Sequence, residues 1–290
     1  MTTSSHLNAL MKFASSTSLI VEYWDDPQRL LESVCNAVDV CIPSSIRYVN
    51  WAHPFNEGPS EIYKYPKYFV TPAAYEIGVW TLDPLNAELL KKPRSPFSLR
   101  QVMDEDFESS EYFRLVYQSA NIVDELCFGF PLEDGTENSN HAKKHHLVFG
   151  FCRTKDKGIY TEAELEIARA IYPAIKVCAE QACAQNSTES HEDESLPDVN
   201  FNLDAFGKDV LTPREREVIR LVLSGHNTES VAHRLGIAAD TVKLHRKHAY
   251  AKLEVKSQGE LFTLFLDFLG ESLDSQSMPS QIESKTSDTE

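Results

Sequence analysis

Between residues 211 and 270 the chain carries helix start and stop signals so closely spaced that only short helices fit between them. Leu211-Thr212-Pro213-Arg214-Glu215 offers Thr212 as an N-cap, Pro213 at the first helical position and Glu215 three residues after the cap. That is a capping box, strengthened by a proline that lacks the N–H the first turn could not satisfy anyway. Val218, Ile219, Leu221 and Val222 follow at helical spacing and Gly225 ends the run. Asn227 caps the next helix, with Val231, Ala232 and Leu235 facing inward and Gly236 closing it. After a turn reaching Asp240, Val242, His245, Ala249 and Leu253 recur at spacings of three and four. Ser257 and Glu260 form a second capping box, which opens the run ELFTLFLDFL. Helices this short, joined by turns this tight, predict a small all-α four-helix domain over residues 206–270.

The third helix has two unlike faces. Opposite its apolar stripe lie Thr241, Lys243, Leu244, Arg246, Lys247 and His248. A short helix, a turn of a few residues and a helix with a basic outer face is helix-turn-helix geometry. Side chains near the start of such a helix reach base edges in the major groove, while flanking Lys and Arg neutralise phosphates. The formal charge of the whole chain is -16, which looks wrong for a DNA ligand. The charge is segregated, however. Residues 206–270 hold ten Lys and Arg against eight Asp and Glu, a net of +2, so the remainder carries -18. Screening confines each charge to roughly 8–10 Å in physiological salt, so the acidic remainder does not cancel the basic face.

The stretch LTPREREVIRLVLSGHNTESVAHRLGIAADTVKLHRKHAYAKLEVKSQGEL resembles the LuxR-type helix-turn-helix domain of bacterial transcription regulators. The likeness rests on Leu211 to Glu215, Gly225, Val231-Ala232, Leu235, Thr241-Val242-Lys243, His245, Lys252-Leu253 and Val255. It implies double-stranded DNA as partner, with Lys243, Leu244 and Lys247 facing bases or nearby backbone, and a last helix that pairs the domains into a homodimer. Leu261, Phe262, Phe265 and Phe268 are the expected dimer face, because the fourth helix is apolar nearly all round and a second copy is the simplest cover. On that reading Phe265→Glu gives a monomeric fragment. Two departures weaken local helix ends: Ala238 stands where the family places a capping Ser, and Glu254 stands where it places a Gly. Gly259 also falls inside the fourth helix.

Residues 1–183 read as one α+β domain, an antiparallel sheet flanked by helices. Asp26 and Pro27 start a helix carrying Leu30, Leu31, Val34 and Val38 on one face. Residues 45–52 predict a strand and 104–118 a helix. Residues 122–132 and 145–153 predict an antiparallel hairpin. Thr161 and Glu164 open a long helix that passes Pro173. In its order of elements this region resembles GAF- and PAS-like sensor domains. Within 47–80, Trp51, Tyr63, Tyr68, Tyr75 and Trp80 are candidates for a small-molecule pocket, aromatic bodies with polar tips; covering the sheet is the alternative reading. The spaced Trp, Tyr, Asp and Trp pattern of acyl-homoserine-lactone receptors is not evident. The acidic segment 184–205 predicts a solvated linker and residues 271–290 a disordered tail.

Several chemistries are not called for. His141, His145 and His146 have metal-like spacing without a carboxylate or Cys in phase, so no metal is expected. Cys35, Cys41, Cys127, Cys152, Cys178 and Cys183 are scattered and read as reduced, packed thiols. The acidic pair in LIVEYWDDP lacks the doubly wound alternation of a phosphoacceptor domain. No nucleotide-binding, hydrolase or zincin motif occurs, so neither an enzyme nor a cofactor is expected. No apolar run spans a bilayer and the first residues make no secretory signal, so a cytoplasmic protein without a membrane partner is expected. The reading is a one-component DNA-binding regulator that takes a small-molecule effector or partner, with RNA polymerase as a further candidate partner. The alternative is an adaptor or anti-regulator that uses the same fold to bind protein.

Overall fold

The structure, a computed structural model, describes residues 2–52, 60–67, 78–89, 91, 94–131, 146–186 and 205–276. Its N-terminal part is built on a five-stranded antiparallel sheet: β1 (Ile46–Ala52), β2 (Ser60–Tyr65), β3 (Phe97–Ser98), β4 (Ile122–Pro131) and β5 (His146–Thr154), in the order β2-β1-β5-β4-β3. The expected hairpin is β4 and β5, paired with Cys127 opposite Gly150 and Phe128 opposite Phe149.

Period-two alternation sends two different sets of side chains to the two faces. Val49, Leu126, Phe128, Phe130, Leu147, Phe149 and Phe151 face one way, against α1 (Thr2–Glu22), α2 (Pro27–Cys41) and α6 (Glu162–Asn186). Asp26 caps α2 by accepting from Arg29 N at 3.1 Å, with Pro27 at the first position. The Thr161–Glu164 box starts α6, which continues through Pro173. Tyr172 of α6 stacks on Phe130 at 4.9 Å between centroids. Helix α1 was not foreseen; it covers α2 and α6 with Ala9, Phe13 and Ile20.

The other face carries Ile46, Tyr48, Glu125, Cys127, Val148 and Cys152. It is covered by a 3-10 turn at Val79–Leu82, by α3 (Pro84–Leu89) and α4 (Leu99–Val102), and by the segment from 104 to 118. That segment is not the single helix expected. It breaks into a 3-10 turn at Phe107–Ser109, a short α5 (Glu111–Phe113) and a π turn at Arg114–Gln118. The cause is Ser110, which is extended and accepts a bond from Phe113 N at 3.0 Å, capping a new turn instead of continuing an old one.

The C-terminal part has the four expected helices: α7 (Pro213–Leu223), α8 (Thr228–Leu235), α9 (Ala239–Lys252) and α10 (Gln258–Gln276). Helix α10 continues six residues beyond 270, into the segment read as tail. The Thr212–Glu215 box, the Asn227 cap and the left-handed Gly236 are all in place. Ala238 makes no side-chain cap bond, and Glu254 occupies the left-handed position after α9 with φ 58°. Glycine adopts that conformation without strain. Glu254→Gly is therefore expected to raise the unfolding free energy of this domain by ~0.5–1 kcal/mol; urea melts with an unchanged or lower midpoint would contradict it. Both parts share one continuous apolar cluster, running from Leu85, Phe107 and Tyr112 to Val218, Phe262 and Phe265.

Candidate DNA-binding interface and a buried polar site

Helix α9 is fixed from behind. Val242 and Ala249 are fully buried against α7 and α8, while His245 and Leu253 are half-buried. Its last turn is tied to the first turn of α7 by Lys252 Nζ, which donates to Glu215 Oε2 at 2.7 Å. Burial pushes the Glu215 carboxyl up. The Lys252 ammonium and the bonds from Thr212 more than reverse that push and hold it at about 2. Lys252 is therefore a structural cation. It joins the last turn of α9 to the first turn of α7.

In front, Lys243, Leu244, Lys247 and His248 are exposed, Leu244 at 51%. Thr241 and Arg246 are half-buried, with the Arg246 guanidinium 5.8 Å from the centroid of Tyr250. Among the described residues Lys243 is paired with exposed Asp240, at 3.1 Å one turn away. Such a pair is weak and breaks readily when an anion arrives. Four of the six candidate groove residues, Lys243, Leu244, Lys247 and His248, thus form an exposed patch on one side of the helix, and Thr241 and Arg246 lie at its edges.

The fourth helix is not free. Leu261, Phe262 and Phe265 are buried within this chain, and Phe268 is half-buried. Phe206 packs edge-on against Phe265 at 5.3 Å and against Phe268 at 5.4 Å. The premise that a second copy must cover these residues is thereby corrected, since the chain itself covers most of them. Phe265→Glu consequently tests folding, not assembly.

On the sheet face described above, a polar cluster lies inside the N-terminal core. Asp83, 4% exposed, accepts from Tyr112 Oη at 2.8 Å, from Tyr117 Oη at 3.4 Å and from Leu85 N at 2.8 Å. Glu125, equally buried, accepts from Tyr48 Oη and the Cys152 thiol. Tyr48 reaches it by crossing Gly150 on the neighbouring strand; a Cβ there would sit 2.1 Å from the Tyr48 ring. Burial, with the nearby Asp83 charge, pushes the Glu125 carboxyl up to about 8, so it holds its proton at neutral pH.

Asp83, Glu125, Tyr48, Tyr112 and Tyr117 were not among the sequence candidates. The available signal was a carboxylate in the strand run IVDELCFGF, in phase with Cys127. Of the aromatic candidates, Trp80 is buried in the 3-10 turn whose Val79 and Leu82 pack on this side. Tyr63 packs on the opposite side of the sheet, with the α1–α2–α6 cluster. Trp51 lies on β1 with its side chain outside the described set, and Tyr68, Tyr75, His141 and His145 lie outside the described residues. His146 is buried at the start of β5, and no His, Cys, Asp and Glu group among the described residues could hold a metal ion. Burial pushes the Cys41 and Cys178 thiols up to about 11 and Cys183 to about 12, which makes them unreactive.

A family profile described as bacterial regulatory proteins, luxR family, matches residues 209–265. An inferred HTH-type transcriptional regulator in the exeN 3′ region of Aeromonas salmonicida is 31% identical over 184 residues, covering 61% of this chain and 89% of that protein. The chain belongs to the luxR family of bacterial regulators. Other similarities are shorter or confined to fold. The nitrate/nitrite response regulator NarL of Escherichia coli K12 is 44% identical over 50 residues, 17% of this chain and 23% of NarL. The LBD domain of VqsR from Pseudomonas aeruginosa superposes with a TM-score of 0.50 at 16% identity, over 59% of this chain and 96% of that one. As a luxR-family protein the chain is a DNA-binding transcriptional regulator, with a sheet-and-helix N-terminal domain and a helical C-terminal one. Among its described residues no helix is long and apolar enough to cross a membrane.

Proposed function

We propose that α9 reads the major groove through Thr241, Lys243, Leu244, Arg246, Lys247 and His248, and that α10 pairs two copies on a two-fold operator. The observation that carries this is the split of α9 into a buried rear, Val242 and Ala249, and an exposed basic front. The N-terminal domain binds a small organic effector beside Asp83, Glu125 and their tyrosines, a region with hydrogen-bond donors and acceptors inside an apolar wall. Trp80, three residues from Asp83, is the one aromatic candidate retained; Trp51, Tyr68 and Tyr75 stay candidates by sequence, and Tyr63 does not belong. The regulator acts in the cytoplasm, where it meets DNA and RNA polymerase. The effector works by population shift between arrangements of the two domains.

The test is Lys243→Ala in the full chain, assayed on duplexes recovered by selection from a random pool. Loss of a base-edge contact is expected to cost ~1–3 kcal/mol on the selected site, and much less on scrambled duplex. Affinity of the parent should fall steeply as salt rises, with a slope set by the phosphates neutralised. Equal losses on both duplexes would remove Lys243 from base reading. Salt-independent binding would favour the adaptor alternative.

A further inference from the structure

We infer that the C-terminal domain is held against the N-terminal domain by Asp104, and that this docked state excludes pairing through α10 while leaving the groove face open. The inference builds on the proposed pairing role of α10 and adds the residue that controls it.

Three side chains of the C-terminal domain converge on one carboxylate from the N-terminal domain. Arg234 Nη2 donates to Asp104 Oδ1 at 3.0 Å, the His226 ring lies against Oδ2 through Nδ1, and Ser230 Oγ stands 3.5 Å from the same oxygen. Burial pushes His226 down against the opposing pull of Asp104, which favours a neutral ring donating its Nδ1–H. One turn further, Asn227 donates through Nδ2 to Asp106. Asn227 is also the N-cap of α8, so the same side chain starts the helix and grips the neighbouring domain.

Behind this polar rim the backbones come close. Gly225 has φ 90°, and a Cβ on it would lie 2.8 Å from Ser110 Cβ. At the start of α10, a Cβ on Gly259 would lie 3.6 Å from Glu111 Oε1. Gly259, Phe262 and Leu266 follow one stripe of α10 at spacings of three and four, and Phe262 is buried in the cluster shared by both domains. A partner helix cannot lie along that stripe while α5 is there. Lys243, Leu244, Lys247 and His248 stay exposed in the same arrangement. Docking therefore limits assembly, not access to the groove.

The experiment uses the full chain carrying Thr263→Cys, an exposed site on α10 beside this stripe, with a short bismaleimide as cross-linker. The native thiols other than Cys183 are buried, and the same chain without Thr263→Cys is the background. Asp104→Arg faces Arg234 with like charge and removes the acceptor that the His226 ring donates to. It is expected to raise cross-linking between copies at least fivefold and to speed amide exchange at 226–234. Adding Arg234→Asp to Asp104→Arg restores an opposite-charge pair and should return both readouts toward the parent. Cross-linking unchanged by Asp104→Arg, or unaffected by the swap, overturns the inference. Faster exchange without more cross-linking overturns the exclusion of pairing and leaves the groove reading intact, because neither readout involves DNA.

Discussion

Glu125→Gln is expected to stabilise the N-terminal domain, and to do so more strongly as pH rises. In the fold the Glu125 carboxyl is pushed up to about 8, whereas a solvated glutamate ionises near 4.5. Between those values the folded chain binds a proton that the unfolded chain has released, so stability falls as pH climbs from about 4.5 and levels off above about 8. Glutamine has nearly the same shape, cannot ionise, and can still accept from Tyr48. The gain should be near zero at pH 4. Above pH 8 it should reach on the order of 2–5 kcal/mol, since each unit of displacement corresponds to ~1.4 kcal/mol and relaxation around the ionised group removes part of it. In a domain of this size that shifts Tm upward by about 4–20 °C. Thermal melts of both proteins from pH 4 to 9 give the check. A difference in Tm that does not grow with pH would mean that Glu125 is solvated or ionised in the folded protein.

Phe265→Glu is expected to unfold the C-terminal domain outright. The ring is fully buried and meets Phe206 edge-on, with Phe262 a further neighbour at 6.5 Å. Truncating a buried Phe alone costs ~3–5 kcal/mol, and a carboxylate in the same place adds the penalty of desolvating a charge without a partner. Domains have only ~5–15 kcal/mol in hand, and one with a core as small as this lies toward the lower end. Loss of amide protection throughout α7–α10, with loss of duplex binding, is the expected result. A variant that stays folded and merely becomes monomeric would restore the dimer face first read into this position.

The elements visible in the sequence were those with local punctuation. Thr212-Pro213-Glu215, Asn227, Gly236 and Asp26-Pro27 each satisfy or release a backbone group within four residues, so their effect can be read without a fold. The alternating strands of the β4–β5 hairpin were legible for the same reason. Helix α1 was not, because its run of Ser, Thr and Leu has no sharp cap and its apolar residues are partly exposed. The break at Ser110 was missed because a serine can continue a helix or cap one, and tertiary packing of Phe107 and Tyr112 decides. The candidate groove residues follow from the phase of α9. The Asp83–Glu125 site depends on strand order, which brings Tyr48 across Gly150, and no spacing in the sequence encodes that. The Asp104–His226 contact joins residues more than a hundred apart, and the burial of Phe265 depends on Phe206, which lies outside the punctuated helices.

The bond between Lys252 and Glu215 has an evolutionary consequence. Because α9 is anchored through its buried rear and its final turn, the exposed side chains at 243, 244, 247 and 248 have little part in keeping the domain intact. A lineage can exchange them one at a time without passing through an unstable intermediate, and under the groove reading proposed above each exchange reassigns which promoters answer to this regulator.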